Sequence, residues 1–409
     1  MFKDVYRPDS KVARFIIVML INGLAFGLYR GIQDNYLADI IHISPFERGI
    51  VEFFRELPGL LVVLIIALMY KYTASRIFKI GCAIMFAGIT GLMLTSMGGL
   101  FQTKFIVVVF MVVYSTGEHL VMPVRTTISL DLAKREKAGA SLGITSSITH
   151  LGNIGGFIIV SALFFIINQL GFVRTDILGY RIIFGVAVAL MVASSLIVLA
   201  LRETTLKTQM RRFYFAKKFR KFYMLEVFYG ARKQIFLTFA PYVLILYYRA
   251  DPSIMALLYT ITAGFGIVLA PFIGRIIDRI GYKIVMVGDT FLLIIVCLLF
   301  GFAHRLFPHN IAFIIVCINF VLDSIISMGS LAANVYVQRI ASNQEEITAT
   351  MSTGISVNHL ISILIALLGG WIWRETGIEM LFTLSAILGL INSFYAMTIK
   401  KSEETVPAG

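Results

Sequence analysis

Charged and histidine side chains stand deep inside otherwise apolar runs of this sequence, and these are the residues able to do chemistry. The cations are Arg30, Arg55, Arg125, Arg232 and Lys233; the acids are Asp34, Glu52, Glu56, Glu118 and Asp323; the histidines are His119, His150 and His359. At mid-bilayer each charge costs roughly 2.5–3.5 kcal/mol even on the mild insertion scale, so each needs a reason. A guanidinium recognises a carboxylate or phosphate bidentately. A buried carboxyl exchanges protons as the charge facing it changes. The pattern implies recognition of a polar solute and movement of protons. Bond-making chemistry is not indicated: no His-Glu-x-x-His, nucleophile elbow or Gly-x-x-x-x-Gly-Lys loop occurs. The reading is no enzyme, no cofactor and no metal.

Spacing sharpens the roles. Glu118 and Arg125 lie seven residues apart and share a helix face, with His119 adjoining Glu118. At about 1.5 Å per residue, Glu118, His119 and Asp323 lie roughly 21–22 Å along their helices. His150, Arg232 and His359 lie at roughly 18–21 Å, the same level. Glu118 is the first choice for proton coupling, with His119, Asp323 and Asp34 beside it; the alternative for Glu118 and Asp323 is a fixed salt bridge. Arg232 reads as solute-facing, next to Lys233 and Gln234, or else as a permanent partner of Asp323 or Glu118. His150 and His359 bind solute or brace the site, and Ser147, Asn153, Ser356 and Asn358 offer hydrogen bonds. Arg30 and Asp34, four apart with Gln33 between, form a gate or a ligand site. Glu52, Arg55 and Glu56 share one face and read as a structural ion-pair network, above a bend permitted by Pro58 and Gly59. Arg125 and Lys233 are assigned gating or structural work.

Such groups must be carried by long apolar helices. Of 409 residues, 58% are hydrophobic and 14% charged, with mean hydropathy +0.86; a soluble domain carries about 25% charged residues. Charged or Pro/Gly-rich breaks predict twelve helices, near 12–40, 44–70, 76–98, 103–131, 138–168, 178–201, 219–247, 253–278, 283–303, 309–341, 345–373 and 379–399. The first is read as retained, not as a removed signal peptide. Cys82, Cys297 and Cys317 lie in apolar stretches and read as packing residues.

The net charge of +13 sets topology and meets anionic lipid, without nucleic acid. Most Lys and Arg, among them Arg7, Arg14, Lys71, Arg76, Arg202, Lys207, Arg211, Arg212, Lys221, Lys283, Lys400 and Lys401, fall on tails and even-numbered connections. Few, among them Arg48, Arg174 and Arg249, fall on the other side, so both termini are expected in the cytosol. The basic stretch 202–218 is expected to separate two bundles, 1–201 and 219–409. The halves repeat: a shift of 207 sets Pro45-to-Gly81 over Pro252-to-Gly288, and a shift of 209 sets Ser147–Leu151 over Ser356–Leu360. Parallel repeats of this kind place a solute site near the midplane.

Between the eighth and ninth predicted helices stands Gly274-Arg-Ile-Ile-Asp278-Arg279-Ile-Gly281-Tyr-Lys283, which resembles the signature loop of the major facilitator superfamily. Here the glycines are expected to allow a tight turn and Asp278 to cap a helix or pair with a neighbour. The resemblance implies an all-α membrane protein of two pseudo-symmetric six-helix bundles, in which helices 1, 2, 4, 5, 7, 10 and 11 line a cavity. The ionisable residues above fall on those helices; the outer helices 3, 6, 9 and 12 hold end-region charges such as Arg181 and Asp289. The first-half loop, Tyr70 to Arg76, departs from the signature, and Leu151-Gly152-Asn153-Ile154-Gly155-Gly156 is a degraded form of the antiporter motif.

The function implied is secondary active transport of a small anionic or zwitterionic solute by alternating access, as symport or antiport. Proton coupling is favoured, with sodium coupling through Asp34, Asn35 and Gln33 as the other choice. The alternatives are a proton-driven exporter of amphiphilic drugs or lipids and a non-transporting receptor on a transporter fold. The expected setting is a bacterial cytoplasmic membrane, with lipid around a monomer.

Overall fold

The computed structural model describes residues 2–6, 10–171, 176–201 and 214–399. Arg7, Arg174, Arg202, Lys207, Arg211, Arg212, Lys400, Lys401 and most of the anticipated linker lie outside them. The described chain is helical throughout, with no strand beyond one isolated bridge between Tyr6 and Ala133.

After a helical turn at Phe2–Val5, the long helices are α1 (Ser10–Asn35, continued as a π-helical turn Tyr36–Ile40), α2 (Pro45–Leu68), α3 (Ala74–Thr95), α4 (Lys104–Leu132), α5 (Ala138–Gln169) and α6 (Ile177–Leu199). Then follow α7 (Arg220–Tyr248), α8 (Pro252–Ile280), α9 (Tyr282–Leu306), α10 (His309–Ser327, then Leu331–Ile340), α11 (Gln344–Thr376) and α12 (Ile378–Met397). Their starts are written in the sequence: Pro45 and Pro252 open α2 and α8, where a missing N–H costs nothing. Thr73 and Thr103 accept from the Arg76 and Ile106 amides at the starts of α3 and α4. Ten of these helices are long and apolar enough to cross a bilayer. The exceptions, α2 and α7, are the two interrupted by the densest intramembrane charge, including Glu52, Arg55, Glu56, Arg232 and Lys233. The protein is an integral, multi-pass membrane protein.

Two compact units emerge. The first holds 1–43, 54–210 and 251–260; the second holds 44–53, 211–250 and 261–409. In the first, α1 packs along α5 and α6, and α3 along α4 and α6. Small residues set the spacing. A Cβ on Gly27 would lie 2.2 Å from the Asn153 carbonyl, and one on Gly156 would lie 2.5 Å from the Leu24 carbonyl. Gly23 and Gly27 thus face Gly152 and Gly156, the paired small-residue spacing that lets membrane helices touch along their backbones. The stretch read as a degraded antiporter motif is therefore the α5 side of this contact.

In the second unit, α7 packs with α11 and α12, and α9 with α10 and α12. Phe236, Phe300 and Phe382 interlock with centroids 4.7–5.4 Å apart. Both units tie their ends alike: Arg14 donates to the Ala200 carbonyl at 2.8 Å, and Lys221 to the Thr398 carbonyl at 2.8 Å. Arg14 and Lys221 stand 207 residues apart, the offset of the sequence repeat.

Three expectations need correction. Arg48, counted with the cations of the outer side and not with the intramembrane ones, is fully buried in α2, 2.8 Å from Glu52 and 5.6 Å over the Tyr242 ring. The i,i+4 carboxylate and the aromatic face make that burial tolerable. In the signature stretch only Gly281 serves a turn, at φ 89°, as the residue before α9; Gly274 and Asp278 lie within α8, so Asp278 caps no helix. The tenth helix is interrupted by a 3-10 turn at Met328–Ser330.

Replacing Gly156 by leucine should lower thermal stability of the purified protein by roughly 1–3 kcal/mol through overpacking. Gly139→Ala, which meets nothing within 4 Å, should leave the melting temperature unchanged or raised.

Candidate functional site

The first unit contains a cavity of about 170 Å³ lined by Met19, Asn22, Gly23 and Phe26 of α1, Met85 of α3, Glu118, Val121, Met122 and Arg125 of α4, and Ser146, Thr149, His150 and Asn153 of α5. The helix that carries Glu118 and Arg125 presents both from one face, as seven-residue spacing dictates. Neither side chain, nor His150, has a hydrogen bond or ion pair among the described residues. They act on one another only at longer range, Glu118 on Arg125 and Arg125 on His150. The lining mixes apolar, polarizable side chains (Met19, Phe26, Met85, Val121 and Met122) with an acid, a guanidinium, an imidazole and hydroxyls. Asn22 is fixed by accepting from Ser194 at 2.6 Å.

His119, adjacent in sequence, turns the other way. It is buried, and its Nδ1 lies 2.8 Å from the Ser115 carbonyl, so that nitrogen carries the proton. Ser115 in turn donates to the Arg55 carbonyl at 2.5 Å, tying α4 to α2. Arg55 pairs with Glu56. Toward the end of α1, Arg30 reaches Asp34 at 3.2 Å, and the Tyr259 hydroxyl donates to the same carboxylate at 2.8 Å. The Arg30 guanidinium lies 5.4 Å over the Tyr259 ring. Gln33 is buried beside them, its Nε2 without a hydrogen-bond partner.

In the second unit Glu52 accepts from Arg48 and, at 3.2 Å, from Gln234, which also donates to Thr238 at 2.8 Å. Arg232 is 3% exposed and held by Asp323 at 2.9 Å and Ser327 at 3.1 Å. Lys233 lies 5.8 Å from the Tyr229 ring centroid. Asn358 donates to Glu226 at 3.2 Å, and His359 follows it on α11, half-buried. Gly230 leaves room for Asn358, whose Nδ2 would lie 2.9 Å from a Cβ there.

The structure thus brings Glu118, Arg125, His150 and Asn153 together, joins Arg232 to Asp323 and Arg30 to Asp34, and sets His119 against α2. Gly274, Asp278, Arg279 and Gly281 stand at the α8–α9 junction, away from these groups in sequence. Sequence reasoning missed Glu226, Tyr259, the burial of Arg48 and the methionines of the cavity lining. Glu226 was legible as an acid seven residues into α7; methionines in apolar runs carry no such signal.

Residues 222–409 match the family model of the Major Facilitator Superfamily. No curated protein matches the chain in sequence. Solved structures match along almost the whole length. The nucleoside transporter NupG shares 14% identity at TM-score 0.73, covering 98% of this chain and 100% of its own. A D-xylose–proton symporter shares 11% at TM-score 0.73, covering 97% and 99%. A POT family transporter in complex with a thioalcohol-conjugated peptide shares 12% at TM-score 0.73, covering 95% and 96%.

Removing one partner of the buried Arg232–Asp323 pair should be costly, since the other charge is left uncompensated. Asp323→Asn is expected to destabilise the protein by about 3–5 kcal/mol. Combining it with Arg232→Gln should recover much of the loss, read as the detergent unfolding midpoint of the three variants.

Proposed function

We propose that this chain, a membrane transporter of the major facilitator type, moves a small solute bearing an anionic group, as an anion or zwitterion, coupled to protons. The observation that carries the reading is the cavity lined by Glu118, Arg125 and His150, none of which has an ion pair among the described residues. Charges at bilayer depth are tolerated when they meet water, each other or a ligand. Arg125 offers the bidentate donor set for a carboxylate or phosphate, a role for which Arg232, already held by Asp323, is less free. Glu118 is positioned to take the proton. Its charge opposes that of Arg125, so an anion arriving at the guanidinium removes the stabilisation of the carboxylate and favours protonation. Solute and proton then load together. His150 supplies a further donor or acceptor to the solute.

The paired groups elsewhere serve the frame. The Arg48–Glu52–Gln234 and Arg30–Asp34–Tyr259 sets each hold the start of one long helix, α2 and α8, and those starts stand 207 residues apart. Both are proposed as locks that open and close during alternating access, with protons as the coupling ion in preference to sodium. Cytosolic termini are part of the proposal, supported by the basic residues at the α2–α3 and α8–α9 connections. The methionines and Phe26 of the lining also support a second reading, an amphiphilic solute whose apolar body contacts them.

A thermal-shift screen of the purified protein against anionic, zwitterionic and amphiphilic compounds selects the solute. At 100 times its dissociation constant a true ligand stabilises by about 2.7 kcal/mol, and Arg125→Gln should abolish that shift. In proteoliposomes, Glu118→Gln should lose accumulation of the selected compound driven by a pH gradient while retaining solute exchange. Undiminished pH-driven accumulation by that variant would remove Glu118 from the mechanism.

A further inference from the structure

Asp289 belongs to α9, an outer helix, and was expected to be an end-region charge. It stands about 10 Å into that helix, within the membrane-spanning stretch Tyr282–Leu306. Its carboxylate rests on the interruption of α10: a Cβ added to Gly329, the middle residue of the 3-10 turn, would lie 2.5 Å from Asp289 Oδ2. Gly329 is thus small because the carboxylate occupies the space beside it. The same turn is bracketed from α7, where Arg232 donates to Ser327 Oγ at 3.1 Å and the Tyr229 hydroxyl donates to the Ser327 carbonyl at 2.9 Å.

The charges around Asp289 are unequally shared. Arg232 is committed to Asp323 at 2.9 Å yet close enough to act electrostatically on Asp289. Lys233 acts on Asp323 and lies near the Tyr229 ring. From α12 come Gly389, which faces the Arg232 stem, and Ser393, which donates to the Val287 carbonyl. Among the described residues the side-chain hydrogen bond to Asp289 is local, donated by the Thr290 hydroxyl at 3.3 Å. Among the described residues Asp289 has no ion pair. One guanidinium therefore stands among two carboxylates and touches one of them.

We propose that Asp289 is a proton-binding site of the second unit, coupled through Arg232 to Asp323. With Arg232 on Asp323, the Asp289 carboxylate takes a proton from hydronium of the aqueous phase; the carboxyl O–H bond forms as one hydronium O–H bond breaks, and water is left. When Arg232 swings to Asp289, that proton returns to water and Asp323 becomes the carboxylate needing compensation. The turn at Met328–Ser330, gripped by Arg232 through Ser327 and by Asp289 against Gly329, gives α10 the freedom to follow the exchange. This deepens the proton-coupled reading, and its test measures protonation without transport, so that it stands or falls apart from Glu118.

The experiment is infrared difference spectroscopy of the full chain in lipid, taken while the pH is swept. Acidification of the wild type should add a carboxyl C=O band that is absent from Asp289→Asn and present in Glu118→Gln. In Asp323→Asn the same band should be displaced along the pH axis, because Arg232 has lost its partner. Should Asp289→Asn fail to fold, Gly329→Ala keeps every carboxyl and is expected to move the band's frequency. A wild-type spectrum from Asp289→Asn, or an unmoved band in Gly329→Ala, overturns the site. An undisplaced band in Asp323→Asn overturns the coupling.

Discussion

A charge taken from water into hydrocarbon must be compensated or neutralised, and most of the polar architecture of this protein follows from that requirement. The chain answers it in two ways. Some groups are paired: Arg232 with Asp323, Arg48 with Glu52, Arg30 with Asp34. Such pairs return little net stability, because desolvation offsets their attraction, but breaking one is expensive. Others line a cavity and have no ion pair among the described residues, and these carry the proposed function. On the proposed reading, Glu118, Arg125 and His150 are tolerated where they stand by facing water and solute instead of acyl chains.

That cavity exists because its walls can approach closely elsewhere. The Gly23–Gly27 and Gly152–Gly156 contact pulls α1 and α5 together along their backbones. In the same unit Gly88 and Gly117 set α3 against α4, with a Cβ on Gly88 only 2.5 Å from the Tyr114 amide. Backbone contact at those levels leaves the bulkier Met19, Phe26 and Met122 to frame an opening between them. Packing of this kind also keeps α4 in one rotational setting, which aims Glu118 and Arg125 inward and His119 toward α2.

The helices were legible because their apolar runs are long and their ends are marked by prolines, capping threonines and charge. Arg48 was misread for the same reason: it stands three residues after Pro45, near a helix start, where an exposed cation is the ordinary outcome. Its burial depends on Glu52 four residues on and on Tyr242 almost 200 residues away, and the latter is a tertiary fact. The co-facing of Glu118 and Arg125 followed from spacing alone. That Arg232 is committed to Asp323, while Arg125 has no ion pair among the described residues, depends on which helices touch. Asp289 was placed by its helix, whereas its chemistry is set by a break in α10 that no proline or glycine pair announces.

The central claim is that Glu118, Arg125 and His150 face one water-reachable cavity, and site-directed cysteine labelling tests it most directly. In a background lacking Cys82, Cys297 and Cys317, cysteines placed singly by Glu118→Cys, Arg125→Cys and His150→Cys are exposed to a membrane-impermeant thiol reagent, with Leu196→Cys on α6 as the control. The account predicts that all three label and that the solute selected by thermal shift protects them, while Leu196→Cys stays unlabelled. Failure of the three to label from either side of the membrane, in protein that is folded and inserted, would contradict it.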